Sequence, residues 1–171
     1  RADVLLLFAF VHGCWNWPTW RIVRDIIVPA TGATRCRYAN LPCFQETVFF
    51  GAADVFMSHC WSAPFGDLVA AACHGARSDR YVWIDIFAVR QWPGNGADLD
   101  FRSFIVKCKA LVLSMSTVEE LTTYKWWDKW DAFLLTPAGI AAMKTLPTFR
   151  LWCIVEIAAA ILRGIAVVVK G

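Results

Sequence analysis

The sequence predicts an α/β fold built on a parallel sheet, and two observations carry that reading. From residue 53 onward, strand-like and helix-like stretches follow one another in the order strand, helix, strand, helix, strand. That is the pattern of βαβ units with right-handed crossovers. The composition also supplies a core: 58% of the 171 residues are hydrophobic, with 10 Trp and 12 Phe, well above the usual apolar share. A chain of this length buries roughly 70% of the surface that its unfolded form exposes.

Taken in order, residues 1–50 read as an N-terminal extension of helical character and residues 51–171 as the α/β domain. Residues 20–28 (WRIVRDIIV) place Ile22, Ile26 and Ile27 on one side and Arg21, Arg24 and Asp25 on the other, an amphipathic helix. Pro29 and the small residues after it are expected to end that helix. Residues 36–46 read as an extended connection around Pro42. Residues 54–58 (DVFMS) are strand formers that stop at a polar pair, Ser58 and His59. Residues 65–74 have the composition and spacing of a helix, pairing Leu68 with Ala72 and Val69 with Cys73.

Residues 81–89 (YVWIDIFAV) predict a second strand throughout, and residues 91–97 (QWPGNGA) a loop. Asp98 stands where an N-cap would, opening a helix through Phe104, Ile105 and Cys108. Residues 110–115 form a third strand. Residues 117–147 break the rhythm and read as an insertion, with Trp126, Trp127 and Trp130 on neighbouring turns of a helix. A helix over 149–163 and a last buried strand over 165–169 complete the order. Ligands of open parallel sheets bind outside the carboxyl ends of the strands. That rule gathers Ser58, His59, the loop over 88–97 and residues 114–116 on one rim.

Composition excludes several classes. No run of about 18 uncharged apolar residues exists, so no membrane span is expected; the nearest, 151–169, carries Glu156 and Arg163. The apolar run 4–11 is short and is followed by Trp15, Trp17, Pro18 and Trp20 rather than a small-residue cleavage site. The chain does not begin with Met, which predicts a piece of a longer protein. A net charge of +3 from scattered basic residues gives no electrostatic footprint for nucleic acid. Seven cysteines, odd in number and irregular in spacing, predict reduced thiols and a cytoplasmic location. No Cys or His pair has zinc spacing, so no metal is expected. Ser58, His59 and Asp85 hold the letters of a hydrolytic triad, but neighbouring strand residues point to opposite faces. Gly94 and Gly96 form no phosphate-binding fingerprint.

The most informative stretch is residues 149–163 (FRLWCIVEIAAAILR), in which Glu156 is the one charged side chain between Leu151 and Leu162. A buried carboxylate is costly unless a partner or hydrogen bonds compensate. Two readings are open. Glu156 turns to the surface or bonds a backbone amide, or it faces a ligand together with Trp152, four residues earlier and on the same helical face.

With these pieces in order, the chain resembles a Toll/interleukin-1 receptor (TIR) domain, of the divergent type abundant in algae and other protists. Four strand blocks carry the likeness: DVFMSH at 54–59, VWIDIFAV at 82–89, ALVLSMS at 110–116 and IAVVVKG at 165–171. The most specific feature is the aromatic four residues before a glutamate in WCIVEI at 152–157. The likeness covers residues 53–171 and implies a flavodoxin-like three-layer sandwich around a central parallel sheet. It also implies a fifth strand beyond residue 171.

The resemblance implies an NAD glycohydrolase acting in signalling or defence, with Glu156 as the catalytic residue. NAD is then a substrate, and no cofactor is required. Nicotinamide leaves as a neutral group, and a nearby carboxylate stabilises the oxocarbenium-like sugar that remains. Trp152 would stack on the ligand. Ser58, His59, Trp61, Ser114 and the loop holding Arg90, Pro93 and Gly94 would line the pocket, while Asp85 would brace the strand end. Relatives build this pocket between protomers, so homotypic TIR–TIR assembly is expected. Many NAD-cleaving relatives carry arginines or a Gly-Asp pair where this chain has His59, Cys60 and Trp61, which leaves phosphate binding to Arg90 or to backbone amides, or absent altogether. The alternative is a non-catalytic TIR-like interaction module that self-associates, and a nucleotide-sensing domain that binds without cleaving is a third reading.

Overall fold

Four strands form one parallel sheet in the order β2-β1-β3-β4, where β1 is Val55–Ser58, β2 Val82–Trp83, β3 Ala110–Ser114 and β4 Ala166–Lys170. The computed structural model describes residues 1–116 and 130–171, except for the side chains of 130 and 131. Its helices are α1 (Ala2–Val11), α2 (Thr19–Ile22), α3 (Val28–Thr31), α4 (Phe65–Cys73), α5 (Asp85–Ala88), α6 (Phe101–Ile105), α7 (Trp130–Leu134), α8 (Pro137–Thr145) and α9 (Leu151–Leu162). Val55 lies opposite Val82 on one side and Ala110 on the other. Ala110 to Ser114 then pair in step with Ala166 to Lys170.

Every pairing is parallel, so each connection must cross a face of the sheet, and both faces are covered. The two-residue period of the strands sorts the core into two layers. Val55, Met57, Ile84 and Val112 meet Phe65, Leu68, Val69 and Ala72 of α4 on one face. Phe56, Trp83, Leu111 and Leu113 meet Ile105 of α6 and Cys153 and Ala160 of α9 on the other. Phe56 is fully buried and stacks on Trp83 with ring centroids 4.4 Å apart. The chain is thus an α/β protein with a four-stranded parallel sheet between helical layers, the flavodoxin-like three-layer arrangement.

Residues 1–50 pack on the first of these layers. Leu5, Ala9, Ile22, Val23 and Ile27 belong to the same buried cluster as Val55, Met57 and the apolar face of α4. The helix expected to stop at Pro29 runs through it to Thr31. A π-helical turn over Val23–Ile27 lets the Val28 N–H donate to the Val23 carbonyl, and the missing N–H of Pro29 falls where the ladder is already irregular. The Thr31 hydroxyl donates to the Ile27 carbonyl at 2.8 Å.

Three further expectations are corrected. The second strand covers only Val82–Trp83, because the Ile84 carbonyl accepts from the N–H groups of Phe87 and Ala88 and the Asp85 carboxylate accepts from the Ile86 N–H. These bonds wind residues 85–88 into a helical turn instead of letting them extend. Asp100, rather than Asp98, caps α6, accepting from the Ser103 N–H. β4 is an outer strand with exposed residues, Val169 at 62%, because among the described residues it pairs on one side only. Within the expected insertion, residues 130–147 carry α7 and α8, and Trp126 and Trp127 lie outside the described residues. No described helix is long and apolar enough to cross a membrane.

Membership of residues 1–50 in the same core has a measurable consequence. Ile22→Ala removes a fully buried side chain and is expected to destabilise the whole chain by about 2–4 kcal/mol. Urea unfolding followed by tryptophan fluorescence and by far-UV circular dichroism should give coincident transitions. Separate transitions for the two probes would show that the segment folds apart from the sheet.

Candidate functional site

The strand order places a topological switch point between β1 and β3, since the chain moves outward to β2 from one and to β4 from the other. Crevices of open parallel sheets form at the carboxyl ends of such neighbouring strands. Ser58 is the last residue of β1, pairs with Leu113 of β3 and is buried. By alternation from Phe56, its side chain points to the face that α9 covers. There its hydroxyl donates to Oε2 of Glu156 at 2.6 Å, joining residues 98 positions apart.

Glu156 therefore does not turn to the surface, and it bonds no backbone amide among the described residues. It is 8% exposed, and it shares the buried face of α9 with Cys153, Ala159 and Ala160. Burial raises its carboxyl from the ordinary 4.5 to about 7, the Ser58 hydrogen bond acting in the opposite direction and the nearby Asp85 charge reinforcing the rise. Oε1 accepts no hydrogen bond among the described residues and is not one of the sealed polar atoms without a partner. One oxygen of the carboxylate is thus held and the other is free.

A band of polar groups extends from this pair. The Cys153 thiol donates to the His59 carbonyl at 3.4 Å, and burial pushes that thiol up to about 11, so it is an inert, protonated donor. The Cys60 thiol donates to the Lys144 carbonyl at 2.9 Å, tying the end of α8 to the rim. The His59 imidazole is buried, and its Nε2 makes no hydrogen bond among the described residues and lies 3.9 Å from Oδ1 of Asp85. Burial lowers its pKa against the pull of that carboxylate, which keeps the ring neutral. Asp85 also accepts from the Trp61 indole N–H at 2.7 Å, bracing the end of β2 against the segment after β1.

The remaining residues expected at the site are dispersed. Trp152 stands one helical turn, about 6 Å along the axis, before Glu156; it is 61% exposed and meets the edge of Phe101 at 5.8 Å. Arg90 is committed to its own loop: its backbone N–H and Nε both donate to Asp98, and a further guanidinium N–H donates to the Gly94 carbonyl. Arg37 donates to the same carboxylate at 2.6 Å. With Arg37 and then Arg90 as donors, the Asp98 carboxyl lies well below the ordinary range. Pro93 and Gly94 form the exposed tip of this loop, Gly94 at φ +86°, a conformation that suits glycine. Ser114 is buried at the end of β3, beside Lys170.

Two participants escaped the sequence reading. Cys153, three residues before Glu156, carried a usable signal in the helical period. Asp98 as the anchor of its loop carried none, because Arg37 lies 61 residues away. Among the described residues, no three His, Cys, Asp or Glu side chains come together as metal ligands. Comparison with protein-family models, curated proteins and solved structures finds no match.

The raised carboxyl sets a sign for stability. Folding strengthens proton binding at Glu156, so its contribution is full below pH 4.5 and is lost as the pH rises to about 7. At pH 8.5 the ionised group costs about 3 kcal/mol relative to the unfolded chain. Glu156→Gln keeps an acceptor for Ser58 without the charge. Its thermal midpoint is expected to exceed that of the parent chain at pH 8.5 and to approach it at pH 5. Equal midpoints at both values would contradict the burial of an ionisable group here.

Proposed function

We propose that the chain is a TIR-type NAD glycohydrolase in which Glu156 is the catalytic residue. One observation carries the reading. A buried carboxylate sits at the switch point of a parallel sheet, with one oxygen held by Ser58 and the other accepting no hydrogen bond among the described residues. Cleaving the bond between nicotinamide and ribose leaves positive charge on the sugar while the nicotinamide departs neutral. The group needed is a fixed anion beside the ribose, in surroundings dry enough for its charge to act strongly. Ionised Glu156 would supply that charge through Oε1 and accept from ribose hydroxyls, and water would then add to the sugar to give ADP-ribose. Ser58 acts as a positioning residue by donating to Oε2. His59, neutral and buried behind Ser58, would keep the site free of a competing cation.

A second reading has its own support. α9 presents Leu151, Trp152, Ile154, Ile161 and Leu162 to solvent, and Val169 of the outer strand is exposed as well. An apolar surface of this kind suits self-association, as expected of a TIR-like interaction module, with or without catalysis.

The test is incubation of concentrated protein with NAD and detection of free nicotinamide. Release by the parent chain and none by Glu156→Ala supports the enzyme; equal release by both, or none by either, overturns it. Because the ionised carboxylate is the working form, release should rise between pH 6 and 8 around the value of about 7 set by burial. Ser58→Ala removes the bond that opposes the upward shift, so its pH profile should move to higher pH. Light scattering of the same samples separates an assembling module from a monomer.

A further inference from the structure

The face of the molecule built by residues 1–53 holds a cavity of about 710 Å³ that lies apart from Glu156 and Ser58. Its volume falls in the range of small-molecule sites. Aromatic rings form much of the wall: Phe8, Tyr38, Phe44, Phe50, Trp83 and Phe87. They brace one another, Phe8 against Phe87 and Tyr38, Tyr38 against Phe44, and Phe44 against Phe50, with centroids 4.9 to 6.0 Å apart. The wall is therefore set by packing between side chains.

One side of the cavity is a strap over residues 44–53, tied to Arg1 through the Phe49 carbonyl at 2.8 Å and held against Tyr81 at two points. The Tyr81 hydroxyl donates to the Val48 carbonyl at 2.8 Å. Gly51 lies so close to the Tyr81 ring that a Cβ there would come within 2.9 Å of it. The side chain missing at Gly51 allows the strap to close on the ring.

Charge on the lining has one sign. Its charged residues are Arg1 and Lys107, and no Asp or Glu is among them. Arg1 is engaged by Asp3. Lys107 is exposed and has no ion pair among the described residues, its ammonium lying 5.7 Å from the centre of the Phe104 ring. An apolar chamber with an unpaired cation at its lip matches a ligand with a long apolar body and one anionic head.

We propose that this cavity binds a long-chain carboxylate, with the hydrocarbon among the aromatic rings and the head group on Lys107. The inference is independent of the reaction proposed for Glu156. Its test is isothermal titration of the full chain with palmitate below its micelle-forming concentration, beside the uncharged hexadecanol. The parent chain should bind one palmitate. Lys107→Glu should weaken palmitate by up to about fivefold, the upper end of the scale of an exposed ion pair, and leave hexadecanol unchanged. Leu7→Trp fills the chamber from a half-exposed position on its lining and should weaken both ligands. Phe10→Ser, on the same helix but off the lining and 85% exposed, should change neither. Absence of palmitate binding, an affinity indifferent to Lys107→Glu, or a loss caused by Phe10→Ser instead of Leu7→Trp would each overturn the proposal. Lys107 is a surface residue, so its variant decides the matter even if Leu7→Trp fails to fold.

Discussion

A parallel strand with both faces buried offers polar side chains only its ends, and β1 imposes that constraint on the whole molecule. All four of its residues are buried, so Val55 and Met57 must serve the α4 layer and Phe56 the α9 layer. Ser58 is the first position at which a hydroxyl can be accommodated, and it is accommodated because Glu156 accepts from it. The same face of α9 carries Cys153 and Ala160 into the core beside the carboxylate, so the hydrogen bond and the apolar packing agree on the rotation of the helix. Trp152, one turn earlier on the helix, stays largely exposed.

The other ionic constraint lies in the loop after α5. Asp98 is 3% exposed yet ionised, because two guanidinium groups and a backbone N–H surround it. One of those groups comes from residues 1–50 and the other from the loop itself. The N-terminal segment thus does more than cover α4: it holds the Pro-Gly loop in place through Arg37. Trp92 adds a second tie, its indole N–H donating to Thr31 at 3.0 Å.

How far the sequence carried the reading differs from element to element, for physical reasons. β1, β3, α4 and α9 were legible because their apolar runs are long enough to show a period or a clear end. Glu156 was legible for the opposite reason, as a charge where none belongs. β2 was not, because Asp85 forms local hydrogen bonds that override the strand propensity of its neighbours. Arg90 read as a free cation since its partner was taken for a helix cap. The aromatic cavity gave no local signal at all; its wall joins residues such as Phe8, Phe44 and Phe87, which meet only once residues 1–50 have folded onto the sheet.

What separates a working carboxylate from a structural one at position 156 is the energetic cost of its identity. A hydroxyl donor such as Ser58 is satisfied equally by a glutamine oxygen, which would carry no penalty of ionisation in this dry position. Here the acid is retained although burial holds it to about 7, so at neutral pH the protonated and ionised forms are both populated. Asp85, half-buried on the neighbouring strand end, makes ionisation harder still, while His59 stays neutral and gives no relief. Every neighbour but Ser58 therefore works against the charge. Such an arrangement suits the role proposed for Glu156, in which positive charge developing on a bound ribose would offset the cost of ionisation. The same strand end divides its duties cleanly: Asp85 turns to His59 and Trp61, while Ile84 and Phe87 on either side of it form part of the aromatic chamber.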